Sequence, residues 1–294
     1  MNKENIYILE DRGIIYICGS DTFDYLQNII SNDLSKVTND QSCFSYLLTP
    51  QGKYLFEFII VKHKSGYFLD CPKYQIENLY KQLTLYKLRS KVEISNLSNE
   101  FVVAALSKDK FSEFENANNK NGMTIKFRED SVFIDPRCAD LGARLVINLE
   151  KLYLSAKKLN LKISNINEYY QLSHSLGIPS SDTENFQNKI FGLETNSEEL
   201  NAIDFKKGCY VGQENTARMK LKEKISRRIY PIEIIEGNID IDEVIKINEI
   251  EIGKIINNSN FPFGLFKFKD PNFRLEEILT TRKAKIKVKK PFWA

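Results

Sequence analysis

Strand-sized apolar runs joined by tight turns alternate with helical periodicity along the chain, and this mixture limits the fold more than any other feature. Residues 42–48 and 54–62 flank the turn-forming stretch Thr49-Pro50-Gln51-Gly52, which predicts a β-hairpin. In residues 74–88 apolar side chains recur about every 3.6 positions, which predicts a helix facing a sheet. Hairpins mixed with helices indicate an α+β fold rather than a doubly wound parallel sheet.

The same patterns extend in both directions. A β-like run over residues 14–18 precedes a predicted helix, and residues 108–121 and 168–176 are also predicted to be helical. Residues 180–201 are expected to be largely irregular because of their Gly, Asn and Ser content. From residue 227 onward, turn signals such as Asp270-Pro271-Asn272 separate short strands, which indicates a small all-β module.

Composition excludes several classes of protein. The chain has 294 residues, enough for about two domains, and its net charge of +3 is too small to require a nucleic-acid or membrane partner. No apolar run approaches the roughly 18 residues of a membrane span, and the start lacks the features of a secretory signal, so a cytoplasmic protein is expected.

Cysteine and histidine usage restricts the chemistry. The five cysteines are an odd number without a Cys-x-x-Cys pair, which indicates a reducing compartment and no preformed zinc or cluster site. His63 and His174 are the only histidines and form no paired-ligand motif. Metallohydrolase and Ser/His/Asp mechanisms are therefore disfavoured, and no metal ligands are predicted.

The densest group of chemically capable residues lies in residues 204–214, where Cys209 stands among two lysines and two glycines. Glycines allow close approach to the backbone, and nearby positive charge favours the thiolate. Because a free cysteine is most often a small buried apolar residue, a reactive and a structural Cys209 both stay open on this basis.

Two basic stretches follow this segment. Basic and apolar residues alternate over residues 218–225, so an extended strand would place four cations on one side, where a polyanion could bind. Residues 283–289 alternate in the same way, and their lysines are interpreted as a guard against pairing at an exposed strand edge.

The string Lys207-Gly208-Cys209-Tyr210-Val211-Gly212-Gln213-Glu214, followed by Thr216-Ala217-Arg218 and Arg227-Arg228, resembles the signature of the YgfZ/GcvT-like folate-binding family. It is most similar to the branch that contains the mitochondrial iron–sulfur cluster assembly factor and the bacterial tRNA-modifying protein YgfZ. Supporting stretches occur in the family's order at residues 26–34, 46–58, 69–71, 86–92, 135–137, 141–144 and 177–179. The resemblance thus covers nearly the whole chain.

The resemblance implies a GcvT-like ring of α+β, ferredoxin-like domains with a small C-terminal β-barrel and a tetrahydrofolate site at its centre. The folate-binding region is expected at residues 1–226, in two interleaved subdomains of about 1–45 with 160–226, and 46–159. The barrel domain is expected at residues 227–294.

The resemblance also implies the site residues. Cys209 is expected to be a redox-active residue or a transient cluster ligand. Related aminomethyltransferases hold the pterin with a glutamate in a Leu-Glu motif, which Glu194 matches here, although Gly192 replaces the family's usual proline. The other expected folate-binding residues are Lys207, Gly208, Tyr210, Gly212, Gln213, Glu214 and Arg218. Arg218, together with Lys220 and Lys222, would attract a polyglutamate tail, and Tyr210 would stack on the ligand or pack in the core.

The implied function is a tetrahydrofolate-binding factor that supports assembly or repair of iron–sulfur clusters, with client or assembly proteins as partners. No match is found to the acidic catalytic position of true aminomethyltransferases, so a classical enzyme is not expected. Two alternatives stay open: a tetrahydrofolate-dependent aminomethyl or one-carbon transferase, and a nucleic-acid-binding protein associated with tRNA modification.

Overall fold

The computed structural model describes all 294 residues. The strands are β1 (Asn5–Leu9), β2 (Arg12–Cys18), β3 (Cys43–Leu48), β4 (Tyr54–His63), β5 (Gly66–Pro72), β6 (Glu93–Asn96), β7 (Phe101–Leu106), β8 (Thr124–Phe127), β9 (Asp130–Ile134), β10 (Ala143–Asn148), β11 (Lys162–Ile163), β12 (Arg228–Gly237), β13 (Val244–Ile247), β14 (Ile250–Asn257), β15 (Phe263–Phe266), β16 (Ile278–Thr280) and β17 (Ala284–Val288). The α-helices are α1 (Thr22–Ile29), α2 (Ile76–Lys87), α3 (Lys108–Phe111), α4 (Leu152–Lys158), α5 (Ile166–Ser175) and α6 (Gln213–Leu221). None of these helices is both long and apolar enough to cross a membrane.

The chain divides into two compact units, each built from several segments. Unit 1 comprises Met1–Leu48, Phe56–Tyr169 and Leu200–Val211, and unit 2 comprises Thr49–Leu55, Tyr170–Glu199 and Gly212–Ala294. The predicted division into residues 1–226 and 227–294 stays a prediction. Unit 2 places the barrel together with segments from the predicted folate-binding region.

Unit 1 contains two sheets. One has the strand order β3-β4-β5-β2-β6, and the other has the order β11-β1-β7-β10-β9-β8. Neighbouring β3 and β4 confirm the predicted hairpin, and α1 and α2 confirm the two helices predicted in this region. In the six-stranded sheet, Leu106 and Leu145 belong to one apolar core with Leu152 of α4. The apolar positions of these segments are therefore the ones that are buried.

The helix predicted over residues 108–121 is wrong in its length. Only Lys108–Phe111 is α-helical, with Ser107 accepting a hydrogen bond from the Lys110 N–H as its cap. Asn116 adopts a left-handed backbone with φ of 61°. Asparagine side chains compete for backbone hydrogen bonds and tolerate this conformation, so the Asn-rich stretch leaves the helix.

In unit 2 the predicted all-β module is confirmed as a closed barrel with the order β12-β15-β14-β13-β16-β17. Ile232, Ile255 and Ile286 are among the buried residues that fill it. The interpretation of residues 283–289 as an edge guard is wrong, because a closed barrel has no free edge. Lys285 and Lys287 instead form ion pairs with Glu236 at 2.8 Å and Glu276 at 2.9 Å.

A buried network of charged side chains joins the two sheets of unit 1. Arg144 on β10 contacts Asp70 on β5 at 2.5 Å and Asp135 at 3.1 Å. Arg12 on β2 also pairs with Asp70 at 2.6 Å, and Arg137 pairs with Asp135 at 2.8 Å. Burial by itself raises the pKa of Asp135, but Arg137 and Arg144 outweigh it and bring the pKa to about 2. Asp135 therefore carries its charge inside the core.

Tyr169 and Glu57 complete the network. The Tyr169 hydroxyl accepts a hydrogen bond from Arg144 Nη2 at 2.7 Å. Glu57 Oε1 lies 3.8 Å from Arg12 Nη1, and neither of these two atoms makes a hydrogen bond. Burial raises the pKa of Glu57, and the nearby arginines offset this only in part. Glu57 is thus the most weakly held member.

Replacing Asp70 tests whether the network holds unit 1 together. Asp70→Asn keeps the side-chain shape but leaves Arg12 and Arg144 short of a buried counter-charge, so we expect a loss of about 3 to 5 kcal/mol in unfolding free energy by urea denaturation. Asp140→Asn is the matched control, because Asp140 pairs with Lys108 at the surface with 62% of its side chain exposed. Equal losses in the two variants would contradict a special role for the buried charges.

His63 on β4 makes stability depend on pH. Its ring stacks on Phe68 with centroids 3.9 Å apart, and burial, reinforced by Lys126 and Lys64, lowers the pKa of His63 from 6.5 to about 4. The unfolded chain therefore takes up this proton at higher pH than the folded protein does, so stability falls as the pH drops from 6.5 to about 4.

Denaturation curves recorded at successive pH values test this. As the pH drops from 6.5 to about 4, we expect the unfolding free energy of His63→Gln to fall less than that of the wild type. Because Asp and Glu side chains titrate in both proteins, the difference between the two curves is the quantity to follow. A pH-independent difference would show that His63 does not titrate as described.

Candidate functional site

Residues 204–211 form a loop anchored at the C-terminal end of α1. Lys207 Nζ donates hydrogen bonds to the carbonyl oxygens of Gln27 and Ile30, each at 2.7 Å, and of Asn32 at 2.9 Å. The last carbonyls of a helix lack partners inside it and favour a nearby cation. Burial lowers the pKa of Lys207 to about 8. The ammonium group is thus committed to holding the loop, and its predicted contact with folate stays a prediction.

Cys209 is exposed in this loop, whereas Cys43, Cys71 and Cys138 are buried and Cys18 is partly buried. Burial raises the pKa of Cys43 to about 12, which keeps that thiol protonated. Gly208 is exposed too, and a β-carbon added to it would meet no atom within 4 Å. A ligand or partner therefore reaches the Cys209 sulfur from solvent.

Tyr210, the next residue, is buried with 8% of its surface exposed. The Lys207 ammonium lies 5.0 Å from the centre of its ring, at cation–π distance. The exposed residues Gly208 and Cys209 are thus flanked by two buried residues, Lys207 and Tyr210, which hold this part of the loop in place. Stacking of Tyr210 on a ligand stays a prediction.

Gly212 precedes α6 as its N-cap and has a left-handed backbone with φ of 86°, which favours glycine. Its carbonyl oxygen accepts hydrogen bonds from the Thr216 N–H and hydroxyl at 3.3 and 2.8 Å. A β-carbon on Gly52 would approach the same carbonyl to 3.3 Å, so the turn before β4 lies directly against the start of α6.

The strand predicted over residues 218–225 is wrong, because α6 continues to Leu221. The cations therefore point around a helix instead of lining one side of a strand. Lys220 pairs with Glu198 at 2.5 Å, and Arg218 Nη2 donates to Asn215 Oδ1 at 2.6 Å. A single basic face for a polyanion is not formed here.

Glu194 lies in a short 3₁₀ helix, Gly192–Thr195, and is 3% exposed. Its Oε2 accepts a hydrogen bond from the Phe191 N–H at 2.9 Å, and its Oε1 accepts one from Arg227 Nε at 2.7 Å. The Gly192 N–H donates to the Gly52 carbonyl at 3.0 Å. The proline that the family usually has at this position could not make this bond, because proline has no backbone N–H. Glu194 is a buried carboxylate, as a pterin ligand requires, but it already has partners.

Two of the predicted site residues line one cleft of about 450 Å³ in unit 2, which we call the motif cleft. Its lining residues are Pro50, Gln51, Lys53, Phe191, Glu214, Asn215 and Arg218. Asn215 Nδ2 donates to the Gln51 carbonyl at 2.7 Å, which ties α6 to the turn before β4. Glu214 and Arg218 were predicted site residues, and Gln213 begins the same helix.

Sequence reasoning missed the other groups around this cleft. Lys53 donates to the Asn188 carbonyl at 2.9 Å and adds a second cation to the lining, and Phe191 adds an aromatic wall. Arg227 was noticed only as part of the signature, although it holds Glu194. Its pairing partner lies far away in sequence, so no local spacing signalled this contact. No group of three or more His, Cys, Asp or Glu side chains is arranged to hold a metal ion.

No family model matches the chain. Curated relatives do match it, among them proteins from three organisms that are each named iron–sulfur cluster assembly factor IBA57 or its homolog, mitochondrial. The Dictyostelium discoideum protein is 27% identical over 259 residues, covering 78% of this chain and 62% of the relative. The Neurospora crassa protein is 28% identical, with 76% and 52% covered, and the Mus musculus protein is 25% identical, with 77% and 65% covered. The chain thus spans about half to two thirds of these relatives' length.

These relatives overturn one expectation. The cytoplasmic location predicted from the sequence is wrong, because the similar curated proteins are named as mitochondrial.

A solved structure agrees in fold. The glycine cleavage system aminomethyltransferase T from Bartonella henselae superimposes with a TM-score of 0.75, covering 97% of this chain and 85% of that chain at 13% identity. At this identity the likeness concerns the fold, and it confirms the predicted GcvT-like α+β architecture with a C-terminal barrel. Relatives along most of the chain and the shared fold together confirm the resemblance to the YgfZ/GcvT-like family.

Proposed function

We propose that this protein is a tetrahydrofolate-binding factor that supports assembly or repair of iron–sulfur clusters in client proteins. The observation that carries the proposal is the exposed Cys209, held between two buried anchors within the signature segment. The similarity to proteins named iron–sulfur cluster assembly factors supports the same role.

Thiolate chemistry suits Cys209 to this task. Thiolates are the usual protein ligands of iron–sulfur clusters, and a cluster normally needs several of them. Cys209 has no neighbouring group of cysteines, histidines or carboxylates that could complete such a ligand set. We infer that Cys209 supplies one ligand to a cluster whose other ligands belong to the partner protein, which makes the contact transient.

The residues proposed for tetrahydrofolate fall into two kinds. Glu194 is a buried carboxylate suited to the amino and N–H donors of a pterin, and it pairs with Arg227 at 2.7 Å. Arg218 and Lys53 line the motif cleft and suit the carboxylates of a glutamyl tail, and Glu214 lines it with them. The cleft volume of about 450 Å³ lies in the range of small-molecule sites.

The remaining proposed residues shape the site. Lys207 fixes the loop, Gly208 leaves open space beside Cys209, and Gly212 sets the start of α6 so that Gln213 and Glu214 occupy its first turn. When bound, tetrahydrofolate would supply a reduced pterin able to carry electrons or a one-carbon unit. The chain's own part is to orient that ligand and to present the Cys209 thiol.

Cys209→Ser tests the role of the thiol. In a strain that lacks this protein, we expect wild-type chain to restore the activity of an iron–sulfur dehydratase and Cys209→Ser to fail, because a hydroxyl is a poor iron ligand. Cys18→Ser is the matched control, since Cys18 is a partly exposed cysteine outside the signature, and it should restore activity. Full rescue by Cys209→Ser would remove the thiol from the mechanism.

Glu194→Gln tests the folate site by isothermal titration of tetrahydrofolate. Loss of a charged hydrogen-bonding partner should weaken binding by roughly 1.5 to 3 kcal/mol, and Glu198→Gln, which alters an exposed carboxylate nearby in sequence, should leave it unchanged. Arg218→Ala should weaken a polyglutamylated folate more than the monoglutamate. Unchanged affinity in Glu194→Gln, with an unchanged melting temperature, would rule out the proposed pterin contact.

An activity assay on the purified protein distinguishes the transferase alternative from the proposed assembly role. Incubation with methylene-tetrahydrofolate and candidate amines should give no transfer at a useful rate if the assembly role is correct.

A further inference from the structure

A second cleft in unit 2, of about 720 Å³, has no signature residue in its lining and shares no lining residue with the motif cleft. We call it the barrel cleft. Its walls come from the end of α5, from β12, from the loop between β14 and β15, and from Lys289 after β17. The volume is within the range of small-molecule sites, and none of the roles proposed above uses this cleft.

His174 on α5 contributes a hydrogen-bond acceptor to the barrel cleft. Its Nε2 lies 2.9 Å from the Pro262 carbonyl oxygen, which can only accept, so Nε2 carries the hydrogen. Burial lowers the pKa of His174, which keeps the ring neutral. The Nδ1 atom therefore retains its lone pair, and it forms no hydrogen bond within the protein. Ring contacts with Phe263 at 5.2 Å and Phe261 at 6.0 Å hold the imidazole in place.

Two carboxamides in the cleft are also unused. Gln171 and Asn260 line it, are exposed, and form no hydrogen bond within the protein. A carboxamide offers donors and an acceptor in one plane, and it pairs side by side with the edge of a nucleobase. Together with His174 Nδ1, these groups form a polar set that both donates and accepts.

Apolar and aromatic side chains form another part of the lining, next to further polar residues such as Ser175 and Ser259. Ile232 is buried, Ile234 is 40% exposed, and Phe261 adds a ring next to His174. Flat aromatic ligands gain from contact with such side chains. Lys289 pairs with Glu233 at 3.2 Å, but their side chains are 38% and 52% exposed, so a ligand anion could replace this weak surface pair.

We propose that the barrel cleft binds a planar heteroaromatic ligand whose edge carries both hydrogen-bond donors and acceptors, in the manner of a purine. An apolar ligand would leave His174 Nδ1 and the two carboxamides unpaired, and a simple anion would leave the apolar wall unused. A purine nucleoside and a pterin share the required edge chemistry. Binding in this cleft is separate from the proposed assembly role and does not depend on Cys209.

Equilibrium titration of the full chain with adenosine, guanosine and a tetrahydropterin without a glutamyl tail tests the proposal and separates the two sources. We expect at least one of the three to bind saturably. Gln171→Ala and His174→Phe should each weaken that ligand about fivefold or more, because each removes a hydrogen bond while His174→Phe keeps an aromatic ring. Asn238→Ala removes an exposed carboxamide outside the cleft and should have no effect.

Three results would overturn the proposal. The first is no saturable binding of any of the three compounds at millimolar concentration. The second is binding that is equally tight in Gln171→Ala, an exposed position whose change does not threaten folding. The third is pterin binding that Glu194→Gln abolishes and the cleft variants leave intact, which would assign the pterin to the proposed folate site alone.

Discussion

The ion pair between Arg144 and Asp70 fixes how the two sheets of unit 1 are joined. A guanidinium inside a protein core is costly unless carboxylates and hydrogen bonds surround it. Arg144 meets that condition with Asp70, Asp135 and the Tyr169 hydroxyl, which come from separate parts of the chain. The sheets can therefore adopt only arrangements that bring these three groups to one guanidinium, which makes the network a strong constraint on register and packing.

The network also gives a structural role to charged residues in several stretches that support the family resemblance. Asp70, Asp135, Arg137 and Arg144 lie in three of the stretches that support the family resemblance, and all four are buried. In this protein they pair with one another inside unit 1. Lys207 follows the same principle in the signature itself, since its ammonium is committed to three carbonyls at the end of α1. The signature leaves Gly208, Cys209, Glu214 and Arg218 exposed. Among these four, Cys209 offers the only thiol, which points to it as the group that meets a cluster-bearing partner.

Much of the fold follows from local sequence patterns. The β3–β4 hairpin, α2 and the barrel strands were predictable because their apolar periodicity and turn residues agree with their final burial. The segment after Gly212 was not, because alternation of basic and apolar residues fits a strand while the left-handed Gly212 and the Thr216 contacts begin a helix. Part of the candidate site was suggested by the sequence: Cys209 by its lysine and glycine neighbours, and Glu214 and Arg218 by the family resemblance. Lys53 and Arg227 join it only through contacts between distant segments.

The sequence by itself determined the α+β class, the C-terminal barrel and the family resemblance, because each of these depends on residue types at short spacing. Only the tertiary structure decided which charged residues are buried and which are presented. Burial depends on what other segments place around a side chain, and a hydrogen-bond partner 33 or 180 residues away leaves no mark in the local pattern. For that reason the sequence carried no sign that Lys207 and Glu194, chosen from it as ligand contacts, also have hydrogen-bond partners within the chain. The barrel cleft around His174 gave no sequence signal at all.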